Sequence, residues 1–356
     1  MRLHTVFISI FSALLLVSCS PSTPTESSNK GRTAPVAQQD KPNQSKTASS
    51  THVDIQRYIQ KDTHLLIEED LEEKIGFMPD TVDELLIDKK QQKEVVIAGE
   101  SVPYAQLDPN NKTLNLEFVV DSLKDVKQRH FRLFLYEGKR FLPFTVAGKQ
   151  VPYLDFKMPG EASLKLPLTV EPEVANGTSS LVVFLIDKHY KDSISPASRR
   201  LLTTMEDPFR IDTKPALTET TSVQTHKSIS EEPGFPFVFI SDQSFVELEA
   251  ERSLAKGAYI AIDQTPKQLV QEVILFDWNG NLIPLDGQPS LTLQQPKDKD
   301  LFIPVPHETI KQSGSDRFYV AMIPNPGSLT FKHLSDFKAG KEEQYLLHAH
   351  YHGFYK

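Results

Sequence analysis

The chain has 356 residues, a net charge of -8, 39% hydrophobic residues and 24% charged residues. That balance suits a globular body diluted by polar stretches, and it argues against nucleic acid as a partner, because phosphate backbones are held by clustered Lys and Arg. With one cysteine in the whole sequence, the body has no disulfide framework, cysteine metal site or cysteine nucleophile.

The chain opens with Arg2 and an apolar run from Val6 to Val17 broken by Ser9 and Ser12, too short to span a bilayer and suited to the core of a signal peptide. It closes on Leu16-Val17-Ser18-Cys19, which resembles the lipobox of bacterial lipoproteins. The resemblance implies that residues 1–18 are removed and that Cys19 carries the lipid at the new amino terminus. Acyl chains hold a protein to a membrane through about 0.8 kcal/mol per buried methylene, so membrane contact through Cys19 needs no spanning helix. By the same resemblance, Ser20 in place of an Asp favours the outer membrane if the host has two; the expected location is the cell envelope.

Residues 19–52 are rich in Ser, Thr, Pro, Gln, Lys and Asn and read as a solvated tether, since little apolar surface offsets the entropy of ordering them. Residues 53–94 read as a partly helical segment: Val82, Leu85 and Leu86 follow helical spacing, with Asp80 placed to cap. From Glu94 onward, short apolar runs separated by Pro, Gly, Asn and Asp predict strands. These include Glu94 to Ile97, Leu114 to Val120, Phe131 to Tyr136, Leu164 to Leu168 and Leu181 to Ile186. Residues 95–213 form the first expected β-sandwich, the polar stretch 214–232 a linker, and residues 233–356 the second. Strands there are expected at Phe237 to Ile240, Phe245 to Glu249, Ala258 to Ile262, Val273 to Asp277, Leu301 to Val305, Phe318 to Ile323 and Gln344 to Tyr351.

An internal repeat supports the pairing of halves. Leu164 to Ile186 aligns without gaps on Leu301 to Ile323, and Leu133-Phe134-Leu135-Tyr136-Glu137-Gly138 on Leu275-Phe276-Asp277-Trp278-Asn279-Gly280. Gly138 and Gly280 fall where a hairpin turn needs positive φ. The expected fold class is therefore mainly β: two tandem immunoglobulin-like or fibronectin-like sandwiches with a short helical segment before the first.

No nucleophile elbow, zinc-binding His-Glu-x-x-His, phosphate loop or dinucleotide fingerprint occurs. No cofactor and no catalytic residue are expected. Tyr136 and Trp278 occupy matching turn positions; as exposed rings they would bind a ligand or anchor a partner, and as buried rings they would close the sandwich ends. His348, His350 and His352 alternate, so one strand face would present them to a metal, or else to solvent. These residues point to a non-catalytic, lipid-anchored binding or scaffold protein whose partner is an envelope protein or a glycan. The competing readings are a carbohydrate-binding or enzyme-accessory module and a metal-handling lipoprotein.

Overall fold

In the computed structural model, the described residues are those of 53–355 outside 64, 67–80, 98–99, 108–111, 124–126, 174–177, 189–193, 198, 205–222, 228–236, 245–246, 249–256, 266–267 and 325–348. The expected lipid site Cys19, the tether, Asp80 and His348 lie outside them. A short 3-10 turn, Gln56–Tyr58, opens the body. The next seven strands are β1 (Ile59–Lys61), β2 (Thr81–Ile87), β3 (Gln92–Ile97), β4 (Glu100–Leu107), β5 (Leu114–Ser122), β6 (Arg129–Glu137) and β7 (Arg140–Leu142). They are followed by β8 (Phe144–Val146), β9 (Lys149–Val151), β10 (Leu154–Met158), β11 (Ala162–Val170), β12 (Thr178–Asp187), β13 (Ile194–Ala197) and β14 (Arg199–Thr204). The second half supplies β15 (Gln224–Lys227), β16 (Val238–Ser241), β17 (Tyr259–Ile262), β18 (Leu269–Asp277), β19 (Leu291–Gln295) and β20 (Lys299–Pro304). A one-and-a-half-turn helix, α1 (His307–Gln312), precedes β21 (Arg317–Pro324) and β22 (Ala349–Tyr355).

These strands form four sheets. The first runs β2-β5-β11-β8-β9 with β1 on β11, and the second β10-β6-β12-β14-β4-β3 with β7 on β6. The third runs β13-β22-β21-β18-β19 and the fourth β15-β20-β17-β16. Pairing is antiparallel apart from β14 with β4, which is parallel. The fold is thus mainly β, with several antiparallel sheets.

Two kinds of strand build the layers. In β5, Leu114, Leu116, Phe118 and Val120 are buried against the first core while Asn115 is exposed, the period-two pattern of a sheet with one face covered. In β6, Phe131, Leu133 and Leu135 enter that same core, whereas Phe134 and Tyr136 enter a different one. Strands β12, β18 and β21 are divided in the same way, which is why they read as unbroken apolar runs. One core therefore lies between the first and second sheets, another between the third and fourth, and a third, rich in aromatic rings, between the second and third. Residues Ser50–Lys356 form one compact unit.

The repeat is visible in the strand order. β2-β5-β11 in the first sheet corresponds to β16-β17-β20 in the fourth, and β10-β6-β12-β14 in the second to β19-β18-β21-β22 in the third. The aligned segments thus occupy the same positions: β11 and β20 in outer sheets, β12 and β21 in inner ones. The halves also interlock, because β13 leaves the first half to pair with β22 before β14 returns to the second sheet.

Two sequence expectations need correction. The helix expected around Val82, Leu85 and Leu86 is strand β2, paired with β5 from Thr81↔Ser122 to Ile87↔Leu116. Its Leu85 and Ile87 are both buried at strand spacing, and pairing with a neighbouring strand overrides a weak local helical pattern. Within the expected linker 214–232, residues Gln224–Lys227 are strand β15, bonded to β20. Between β20 and β21 lies α1, whose Ile310 is buried.

Candidate functional site

The polar residues with most to say about function lie where the second and third sheets meet. Alternate residues of β6, from His130 through Arg132 and Phe134 to Tyr136, face the third sheet. Phe276 and Trp278 on β18 and its turn, Tyr319 on β21 and Tyr351 on β22 face back. The aromatic rings interlock: Phe134 and Phe276, which occupy equivalent places in the repeat, have centroids 6.0 Å apart, and Phe276 lies 5.0 Å from Phe141 and 5.4 Å from Phe184. Each such pair adds about 0.5–1.5 kcal/mol beyond area burial.

Hydrogen bonds cross the same layer. The Tyr136 hydroxyl donates to Glu272 Oε1 at 2.9 Å, and the Tyr351 hydroxyl donates to the Leu185 carbonyl at 2.6 Å. Arg132 Nη1 donates to the Trp278 carbonyl and Arg317 Nη1 to the Lys188 carbonyl, each at 2.5 Å. Burial, reinforced by the neighbouring Glu272 carboxylate, holds the Tyr136 hydroxyl far above the usual phenol range. Burial raises Tyr319 in the same direction. Both stay neutral, because a phenolate there would lose its hydration.

These contacts decide the fate of the two predicted rings. Tyr136 is 1% exposed and is no ligand platform; the exposed-ring expectation fails for it because both faces of β6 are covered. Trp278 is half-buried against the aromatic layer, and guanidinium groups sit over its ring, Arg132 at 4.3 Å and Arg317 at 5.8 Å. Such cation–π contacts are attractive by about 0.5–2 kcal/mol, so the Trp278 ring is already in contact with Arg132 and Arg317.

Around Trp278 the mouth of this layer is strongly cationic. Arg132 grips Asp155 through Nε to Oδ1 and Nη2 to Oδ2, both 2.6 Å, and lies 4.1 Å from the Tyr153 ring. His130 packs edge-on to Trp278 at 6.3 Å. Desolvation, opposed by Asp155 but helped by Lys188, Lys157 and Arg132, pushes His130 below the ordinary imidazole range. On the opposite face of β6, at its first residue, Arg129 pairs with Asp187 at 2.5–2.7 Å. Sequence reading overlooked these residues, although one signal was present: Arg132 interrupts the otherwise apolar run from Phe131 to Tyr136.

The histidine expectation is also corrected. His350 and His352 do share one face of β22, but both are buried, 7% and 2% exposed. They pair with Met322 and Val320 of the second core, so they are not solvated. Burial lowers His352 to about 4, and among the described residues its ring nitrogens find no hydrogen-bond partner. His350 lies edge-on to Phe237 at 5.6 Å. Among the described residues, no group of three or more His, Cys, Asp or Glu is placed to hold a metal ion, and no helix is long and apolar enough to cross a membrane.

The sequence matches no family model and no curated protein. Among solved structures, the calcium-binding domain CBD12 of CALX1.1 is similar over 67% of this chain and 78% of that chain, at 9% identity and a TM-score of 0.20.

Proposed function

We propose that this chain is a lipid-anchored cell-envelope binding or scaffold protein without catalytic activity, built from two tandem immunoglobulin-like or fibronectin-like sandwiches. The fold reading is supported by strand order. Numbering the seven equivalent strands of each half in chain order of appearance, one sheet runs first-second-fifth and its partner fourth-third-sixth-seventh, twice over, the two-sheet pattern of such sandwiches. The anchor reading rests on Leu16-Val17-Ser18-Cys19.

The single observation that carries the scaffold reading is the third core. Two sandwiches joined by a linker alone would move independently, but here aromatic packing and four cross-layer hydrogen bonds join them. A body whose halves share a core suits holding a partner at a set place.

Metabolic labelling of cells with an alkyne fatty acid tests the anchor: the wild-type chain takes up label and sediments with membranes, and Cys19→Ser does neither. Photocrosslinking from the body in whole cells then tests the scaffold reading, which predicts one dominant envelope partner. Label-free wild-type protein overturns the anchor, and the absence of any crosslinked species overturns the scaffold.

A further inference from the structure

The mouth of the layer between the second and third sheets has a composition that structural packing alone does not account for. Register places Lys157 of β10 opposite His130 of β6, and the Lys188 amide donates to the His130 carbonyl. Lys157, His130 and Lys188 therefore stand side by side on the face that looks toward the third sheet. Across from them the Trp278 amide donates to the Arg317 carbonyl, and Arg317 pairs in register with Tyr355. Arg317 ties the rows together, reaching the Lys188 carbonyl while lying 5.2 Å from the Tyr355 ring.

The charges do not balance. Arg132 is matched by Asp155, but among the described residues Lys157, Lys188 and Arg317 have no carboxylate partner. Lys157 and Lys188 are exposed, and Arg317 is half-buried. Three like charges gathered at one opening repel one another at a cost to stability, in a chain whose net charge is -8. A bound anion of more than one charge relieves that repulsion, and Arg with Lys is the donor set suited to phosphate oxygens.

We infer that the Lys157, Lys188 and Arg317 mouth binds a phosphate-bearing group of two or more negative charges, either free or displayed as a lipid headgroup. This deepens the binding reading above by naming a ligand chemistry. It stands apart from the anchor, because the test uses the full chain carrying Cys19→Ser, free of its own acyl group.

The probes are inorganic pyrophosphate, followed by calorimetry, and vesicles of phosphatidic acid in phosphatidylcholine against vesicles of phosphatidylcholine alone, followed by co-sedimentation. The expected result is binding to at least one phosphate probe that weakens with added salt. It drops tenfold or more in Lys157→Glu/Lys188→Glu, whose exposed side chains leave the thermal melt unchanged. Lys89→Glu, with the same change of charge on an exposed turn residue between β2 and β3, keeps wild-type affinity. Binding of vesicles but not pyrophosphate assigns the lipid source, and the reverse assigns a free ligand. The inference is overturned by no binding to either probe, or by equal loss in the Lys89→Glu control.

Discussion

The turn after β6 and the turn after β18 occupy the same place in the two halves, yet the molecule treats them differently. At the first, Gly138 and Lys139 both adopt positive φ, 57° and 71°, and Glu137 pairs with Arg140 to start β7, the geometry of a two-residue hairpin. A Cβ on Gly138 would meet nothing within 4 Å. At the second, Gly280 has φ 78° and a Cβ there would lie 2.7 Å from the Phe134 ring. The Asp277 carboxylate also ties that turn, accepting from the amides of Asn279 at 2.8 Å and Asn281 at 3.0 Å. One turn only reverses the chain, whereas the other is also a wall of the aromatic layer. Matching sequence positions took on separate duties once the halves packed together.

The largest expected effect probes that wall directly. Phe276→Ala removes a ring held by Phe134, Phe141, Phe184 and Tyr319 and should cost about 3–5 kcal/mol in chemical denaturation. Combined with Phe134→Ala, the loss should fall short of the sum of the single losses, because residues in contact couple; strict additivity would show that the two halves do not share a core.

The glycines come next. Gly280→Ala should cost about 2–4 kcal/mol from its positive φ together with the collision on Phe134, whereas Gly138→Ala should cost about 1 kcal/mol from φ alone. Equal losses would erase the distinction between the turns.

A third measurement sets β22 of the second half against its counterpart β14. His352 is held neutral, with its folded value near 4 below about 6.5 for an unfolded chain. The unfolded state therefore binds the extra proton between those values. The contribution of the neutral imidazole is complete above about pH 6.5 and is lost as pH falls toward 4, by about 3 kcal/mol at roughly 1.4 kcal/mol per unit. His352→Leu should flatten that part of the stability profile; an unchanged slope would place the acid sensitivity elsewhere.

The smallest effect concerns the polar tie opposite the cationic mouth. Tyr136→Phe leaves Glu272 Oε1 without the hydroxyl that now donates to it at 2.9 Å and should cost about 1–2 kcal/mol, read from the same denaturation curves.

Much of the strand inventory was legible because alternation leaves a direct trace: Leu114 to Val120 and Leu164 to Leu168 have one covered face each. Short strands such as β8 and β9 were not legible, since three residues are too few to show a period. The segment Thr81–Ile87 offered helical and extended patterns together, and only its partner β5 chose between them. At the candidate site, Tyr136 and Trp278 stood out as a repeated aromatic position, but whether such a ring is a platform or a brick depends on what lies across from it. Lys157, Lys188 and Arg317 come from widely separated stretches and carry no motif, so no spacing rule could gather them.

By itself the sequence determined that the body is mainly β, that its halves repeat and that its turns fall at Gly138 and Gly280, because periodicity, alignment and the demand for positive φ are local properties. Only the tertiary structure decided that the halves share a third core, that His350 and His352 lie inside, and that cations collect at one mouth. Those outcomes depend on which face of one sheet meets another, and a strand buried on both faces writes the same apolar run whichever neighbour covers it.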